Sequence, residues 1–423
     1  DAILEYVPGP RDLGLPDDRF RMLVTGIESD PFLGRLLTGR VLAGTVRPNA
    51  PIKALKRSGE ERERARVTKV LAFKGAEREP VESAEAGDIV SIAGLKVATV
   101  SDTLCDPQIA EALEARPVDP PTLAITMSVN DSPLAGREGS KVQSRVIRER
   151  LLREAEGNVA IRVSEVPGGD AFEVAGRGEL QLGILIETMR REGFELSISR
   201  PRVLMQKDEA GNTVEPFEEL QVDVDEEFSG IVIEKLTRRR AELTGMAPSG
   251  AGKTRLSFVC PSRSLIGYQG EFMTDTRGTG VMSRLFHGWL PHAGEIGGRH
   301  HGVLISNSDG EAVAYALWNL EDRGYLLITP GTKVYRGMII GANSRPDDME
   351  VNPLKGKQLT NIRTHSRDEA VRLTPIQTLA LEQAIAYIGD DELVEVTPEN
   401  IRLRKRHLDP NERKRQKNMA AAI

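Results

Sequence analysis

"GMAPSGAGKTRLSFVC" (residues 245–260) decides between two kinds of protein, a nucleotide-binding enzyme or a series of mixed sheet-and-helix modules. Gly252-Lys253-Thr254 looks like the end of a phosphate-binding loop, in which backbone N–H groups wrap a phosphate at a helix N-terminus. That pattern needs a further glycine at position 247, which is Ala247. The flanks are also reversed. "RLSFVC" alternates like a strand, with Leu256, Phe258 and Cys260 on one side, while "VIEKLTRRRAEL" before it has helical spacing. A phosphate loop runs from strand to helix, so the stretch reads as a glycine-rich turn between two strands.

Outward from this turn the chain repeats an order of elements. "PFEELQVDVDEE" is a strand, the next helix carries Phe228, Ile231, Val232 and Leu236, and a second helix over about 264–274 leads into "GVMSRLFHGW". The same order stands upstream. "TLAITMSVN" precedes a helix with Val142, Val146, Ile147 and Leu151 on one face, followed by the strands "NVAIRVSEV" and "AFEVAG". A helix then places Leu182, Leu185, Ile186 and Met189 at i, i+3, i+4 and i+7, and "FELSIS" closes the unit. Both are βαββαβ, the ferredoxin-like split βαβ arrangement. The expected boundaries are 116–203 and 204–293. Residues 1–115 hold short β-rich runs broken by turns, as in a barrel or sandwich, and "EARPVDPPT" is a linker. Residues 294–423 are rich in strands and glycine turns, with one main helix in "IQTLALEQAIAYIGDDE" and a long polar loop over about 350–369. The fold class is multidomain α+β.

The 423 residues carry a net charge of −6, unevenly spread. From Ile401 onward, Arg402, Arg404, Lys405, Arg406, Arg413, Lys414, Arg415 and Lys417 face only Asp409 and Glu412, a tail of +6 on a remainder of −12. Such asymmetry suits a polyanionic partner. Cys105 and Cys260 provide neither a disulfide framework nor metal-ligand spacing. His287, His292, His300 and His301 lack the i, i+4 helical spacing of a metal site and have no cysteine beside them. No catalytic constellation is present, so binding chemistry remains. The polar loop offers Lys355, Lys357, Arg363 and Arg367, interleaved with Thr360, Asn361, Thr364 and His365. Cations neutralise phosphates, while amides and hydroxyls reach ribose and base edges.

Several stretches together resemble one family. "HGVLISNSDGEAVAYALWNLEDRG", "KGKQLTNIR", "DEAVRLTP", "LEQAIAYIGDDELVEVTPENIRLRKRHL" and "GRGELQLGILIETMRREGFEL" are similar to the TypA/BipA family of bacterial translational GTPases, relatives of elongation factor G. The resemblance runs the length of the chain. It implies a translation-factor β-barrel (1–115), two ferredoxin-like domains like domains III and V of elongation factor G, and a family-specific C-terminal RNA-binding domain. It implies that the GTPase domain, with its GTP and Mg, precedes residue 1, so these residues bind without catalysing and hold no cofactor. The implied partners are the 70S ribosome, the 50S subunit, 23S rRNA and the acceptor region of an A-site tRNA, met by a cytoplasmic monomer with no membrane partner. The implied role is large-subunit assembly and adaptation to stress such as cold. Carried over by position, Lys355, Lys357, Thr360, Asn361 and Arg363 reach RNA from the loop. His365 and Arg367 depart from the small residues the family favours there. The tail residues Arg402, Arg404, Lys405 and Arg406, with Arg413, Lys414 and Arg415, are expected to face ribosomal RNA. Two other readings compete: an NTPase acting through Lys253, and a protein-interaction scaffold whose tail only aids solubility.

Overall fold

Glycine supplies the geometry of the disputed turn. In the computed structural model, Glu242–Gly250 and Lys253–Pro261 pair antiparallel, with Gly250 opposite Lys253. Gly250 and Gly252 have φ of +83° and +75°, left-handed backbone that glycine adopts without steric cost. The Lys253 ammonium donates to the Thr279 carbonyl at 3.0 Å. The structure describes residues 5–6, 18–30, 32–75, 77–116, 118–250, 252–297, 299, 301–356 and 373–420.

The hairpin belongs to a four-element sheet run. Glu242–Gly250, Lys253–Pro261, Thr213–Asp225 and Val281–Pro291 lie side by side, which in chain order is 2-3-1-4. The helices Ser229–Arg238 and Tyr268–Asp275 cover one face. Val232, Leu236, Tyr268 and Phe272 from the helices meet Val222, Leu256 and Phe258 from the strands in one core. The second helix begins later than its sequence suggests. Ser262–Leu265 is a 3₁₀ turn, and Gly267, at φ +71°, separates it from the α-helix.

The upstream repeat has the same strand order, Arg162–Glu165, Ala171–Gly176, Leu123–Val129 and Leu196–Ser199, with helices Ser144–Gly157 and Glu179–Arg191. Its sheet does not stop at residue 203. Leu196–Ser199 pairs with Glu392–Val396, and the sheet continues through Ile401–Lys405, Met338–Asn343, Val303–Ser306 and Met349–Val351. An eleven-stranded sheet therefore joins the module to the C-terminal residues. An edge strand left bare would expose unpaired N–H and C=O groups, and the hairpin 392–405 covers it.

The C-terminal stretch is also more helical than its glycine turns suggest. Its expected main helix is short, Leu381–Tyr387, and is joined by Ala314–Leu320 and Pro410–Ala420. Helix Ala314–Leu320 buries Ala316, Leu317 and Leu320.

By internal contacts the chain forms two units, residues 1–120 with 149–162, and residues 121–148 with 163–423. In the first, eight antiparallel strands run from Glu61–Arg66 at one edge to Glu77–Pro80 at the other. Ile52 and Ala54, near one edge, share a core with Val70 and Ile92, near the other, so the sheet curls on itself.

Candidate nucleic-acid interface

A cation serves RNA only if no carboxylate already holds it, and the tail divides sharply on that test. The first half of the tail is strand Ile401–Lys405, paired with Glu392–Val396 so that Glu395 faces Arg402 and Glu392 faces Lys405. Arg402, Arg404 and Lys405 are 8%, 1% and 1% exposed, which removes them from any RNA surface. Their expected role is corrected accordingly. Arg402 donates to Glu395 at 3.0 Å and pairs with Glu138. Arg404 pairs with Asp131 and donates to Ser197 at 3.1 Å. Lys405 sits 2.6 Å from Asp348, 2.8 Å from Asp391 and 2.9 Å from Glu392.

These cations hold together a buried acidic frame. Glu395 accepts from Asn130 at 3.1 Å, Ser132 at 3.0 Å and Tyr335 at 2.6 Å. Glu392 accepts both terminal nitrogens of Arg299, at 2.8 and 2.9 Å. Burial pushes the Glu392 carboxyl up, but Arg299 and Lys405 more than offset it and its pKa lies below the ordinary value. Burial likewise works against the Lys405 ammonium, and its acidic partners still raise it. Glu195 anchors the loop "NDSPLAGREG" (residues 130–139), accepting Gly136 N–H at 2.8 Å, Glu138 N–H at 3.0 Å and Gly139 N–H at 2.6 Å. Sequence reading passed over Glu138, Asn130 and Ser132. The acids at 392 and 395 against the bases at 402 and 405 signal the hairpin around one turn, but not its distant partners Glu138, Asn130 and Ser132.

The second half of the tail is different. Asp409 caps helix Pro410–Ala420, accepting Asn411 N–H at 2.8 Å. Arg413 folds back, donating to the carbonyls of His407 and Leu408 at 2.7 Å each and pairing with Glu350. Arg413 is thus a clamp for the helix and not an open cation. Lys414, Arg415 and Lys417 are exposed with no ion pair among the described residues. Arg406 is exposed and donates to the Asp390 carbonyl at 3.1 Å.

The polar loop contributes one described cation, Lys355, which is exposed. Lys357, Thr360, Asn361, Arg363, His365 and Arg367 lie outside the described residues. The loop's two roots are fixed. Pro353 accepts Val313 N–H at 3.0 Å, and Thr374 donates its N–H and hydroxyl to Glu321 at 2.6 and 2.8 Å. His287 leans on Glu219 at 3.1 Å, and no group of three or more metal-ligating side chains exists among the described residues.

Three families match successive stretches of the chain. The elongation factor Tu domain 2 family matches residues 34–105, the elongation factor G C-terminus 212–299, and the TypA/BipA C-terminal domain 301–410. The large ribosomal subunit assembly factor BipA of Escherichia coli (strain K12) is 48% identical over 415 residues, covering 98% of this chain and 68% of the relative. The protein so named in Haemophilus influenzae is 46% identical, covering 98% and 67%, and that in Synechocystis sp. 47%, covering 96% and 67%.

Proposed function

The chain belongs to the TypA/BipA family, and from that footing we propose that its 423 residues are the ribosome-binding portion of a large-subunit assembly factor. The observation that carries this reading is the division of the tail. Among the described residues, the cations of the tail and loop root that stay exposed without a carboxylate partner are Lys355, Arg406, Lys414, Arg415 and Lys417, while Arg323, Lys333, Arg336 and Arg345 are exposed elsewhere in the C-terminal stretch. Such groups neutralise phosphates without reading sequence.

The finer reading names 23S rRNA and the acceptor region of an A-site tRNA as the RNA contacts, on the 50S subunit and the 70S ribosome. GTP and Mg belong to a GTPase domain outside these residues, so this portion binds and positions and does not hydrolyse. It acts in the cytoplasm as a monomer, in subunit assembly and in adaptation to cold. No helix among the described residues is long and apolar enough to cross a membrane.

Co-sedimentation with 50S subunits and 70S ribosomes across a salt series tests the reading. Five phosphate contacts give log K against log salt a slope of roughly −3.5 to −4.5. A protein-only contact with a few rim charges gives a much shallower slope, and that result would favour the scaffold reading.

A further inference from the structure

Helix Ala314–Leu320 lies between the two roots of the polar loop. Its leading residue Val313 is bonded to Pro353, and Glu321, just past its end, is bonded to Thr374. Leu354 and Leu373 pack on the core that the helix itself covers with Leu317 and Leu320. At a rise of about 1.5 Å per residue the helix is about 10 Å long, so the loop leaves and returns across roughly that distance.

The outer side of this helix carries two rings. Tyr315 and Trp318, spaced i, i+3, have centroids 6.3 Å apart and planes inclined at 43°. Trp318 is 49% exposed although the inner residues Ala316 and Leu317 are buried. The chain has only two tryptophans, and this one is half in water on a helix whose leading residue is bonded to the loop root that carries Lys355. Indole is an ideal stacking partner for a nucleobase, because every base has a π-face. Recognition of RNA by proteins turns on such rings wherever a base is unpaired.

We propose that Tyr315 and Trp318 form a stacking platform for an unpaired RNA base, whose backbone phosphates run toward Lys355. This rests on the reading of the domain as an RNA binder. A duplex, whose bases are already stacked, gains nothing from the platform.

The test uses the whole chain carrying Trp289→Phe, so that Trp318 is the sole indole. It is titrated with hexa-adenylate RNA and with a duplex RNA of the same length. The platform predicts saturable quenching by the single strand and roughly tenfold weaker single-strand binding in Trp318→Ala, about 1.4 kcal/mol. Trp318→Phe retains most of the affinity, and duplex binding is unchanged in both variants. Single-strand binding with unquenched indole and no loss in Trp318→Ala overturns the platform but leaves the RNA-binding reading standing. Absence of binding to either RNA overturns both. Weaker ribosome pelleting of Trp318→Ala with unchanged hexa-adenylate affinity assigns the ring to a ribosomal protein and also overturns the platform.

Discussion

Replacing Arg402 with alanine separates a structural tail residue from an RNA-binding one. Arg402 bridges Glu395, which is fully buried, and Glu138. Without the guanidinium, Glu395 keeps Asn130, Ser132 and Tyr335 as donors but no cation. Removing one partner of a buried ion pair costs about 3–5 kcal/mol, because the remaining charge stays out of water. Both tryptophans, Trp289 and Trp318, lie in the larger unit, so urea unfolding followed by fluorescence reports on it. With a urea dependence of about 2–3 kcal/mol per M, the midpoint falls by about 1–2.5 M. Removing both charges, with Arg402→Met and Glu395→Gln together, leaves no buried unpaired charge and recovers part of the loss. The reasoning fails if Arg402→Ala unfolds within about 0.5 kcal/mol of the parent, the range of ordinary surface substitutions. It also fails if the well-folded variant loses salt-dependent ribosome binding, since Arg402 would then be a phosphate contact.

Three further outcomes are expected. Glu392, Glu195 and Glu138 all have pKa values held below the ordinary carboxylate value, so their stabilisation is present above the unfolded value, about 4.3, and is lost as pH falls through the depressed folded values. Urea midpoints of the larger unit measured from pH 6 down to pH 3 should therefore fall, and Glu392→Gln should flatten the curve. Burial pushes the Cys105 thiol up to about 11 and Cys260 to about 12, so a disulfide reagent at pH 8 should modify neither until urea unfolds the chain. Gly267→Ala should destabilise the larger unit by about 1–2 kcal/mol in the same urea assay, because position 267 is left-handed at φ +71° and the new Cβ would lie 2.9 Å from that of Ala386.

The parts of this fold most legible in the sequence are those set by short-range rules. Leu182, Leu185, Ile186 and Met189 announce their helix by spacing, and each is buried. Gly250 and Gly252 announce a turn, and Ala247 removes the competing phosphate loop. Helix Ala314–Leu320 escaped notice because, at seven residues, it is too short for its period to stand out among glycine turns. The tail was misread for a different reason. Charge counting treats Arg402 and Lys414 alike, whereas the pairing of Ile401–Lys405 with Glu392–Val396 buries one and leaves the other in water. Which cations are free depends on contacts such as Arg402 with Glu138 and Arg404 with Asp131, more than 260 residues apart in sequence, and no local pattern encodes those.

The most direct test of the central claim compares the salt slope of 50S binding for the parent chain and for Lys414→Ala/Arg415→Ala/Lys417→Ala. These three side chains are exposed on the terminal helix and make no ion pair among the described residues, so their loss leaves the fold intact. The account predicts a slope shallower by roughly 2–3, with an unchanged urea midpoint. An unchanged slope and affinity in the triple variant would contradict it, and would mean that the basic helix is not where this protein meets RNA.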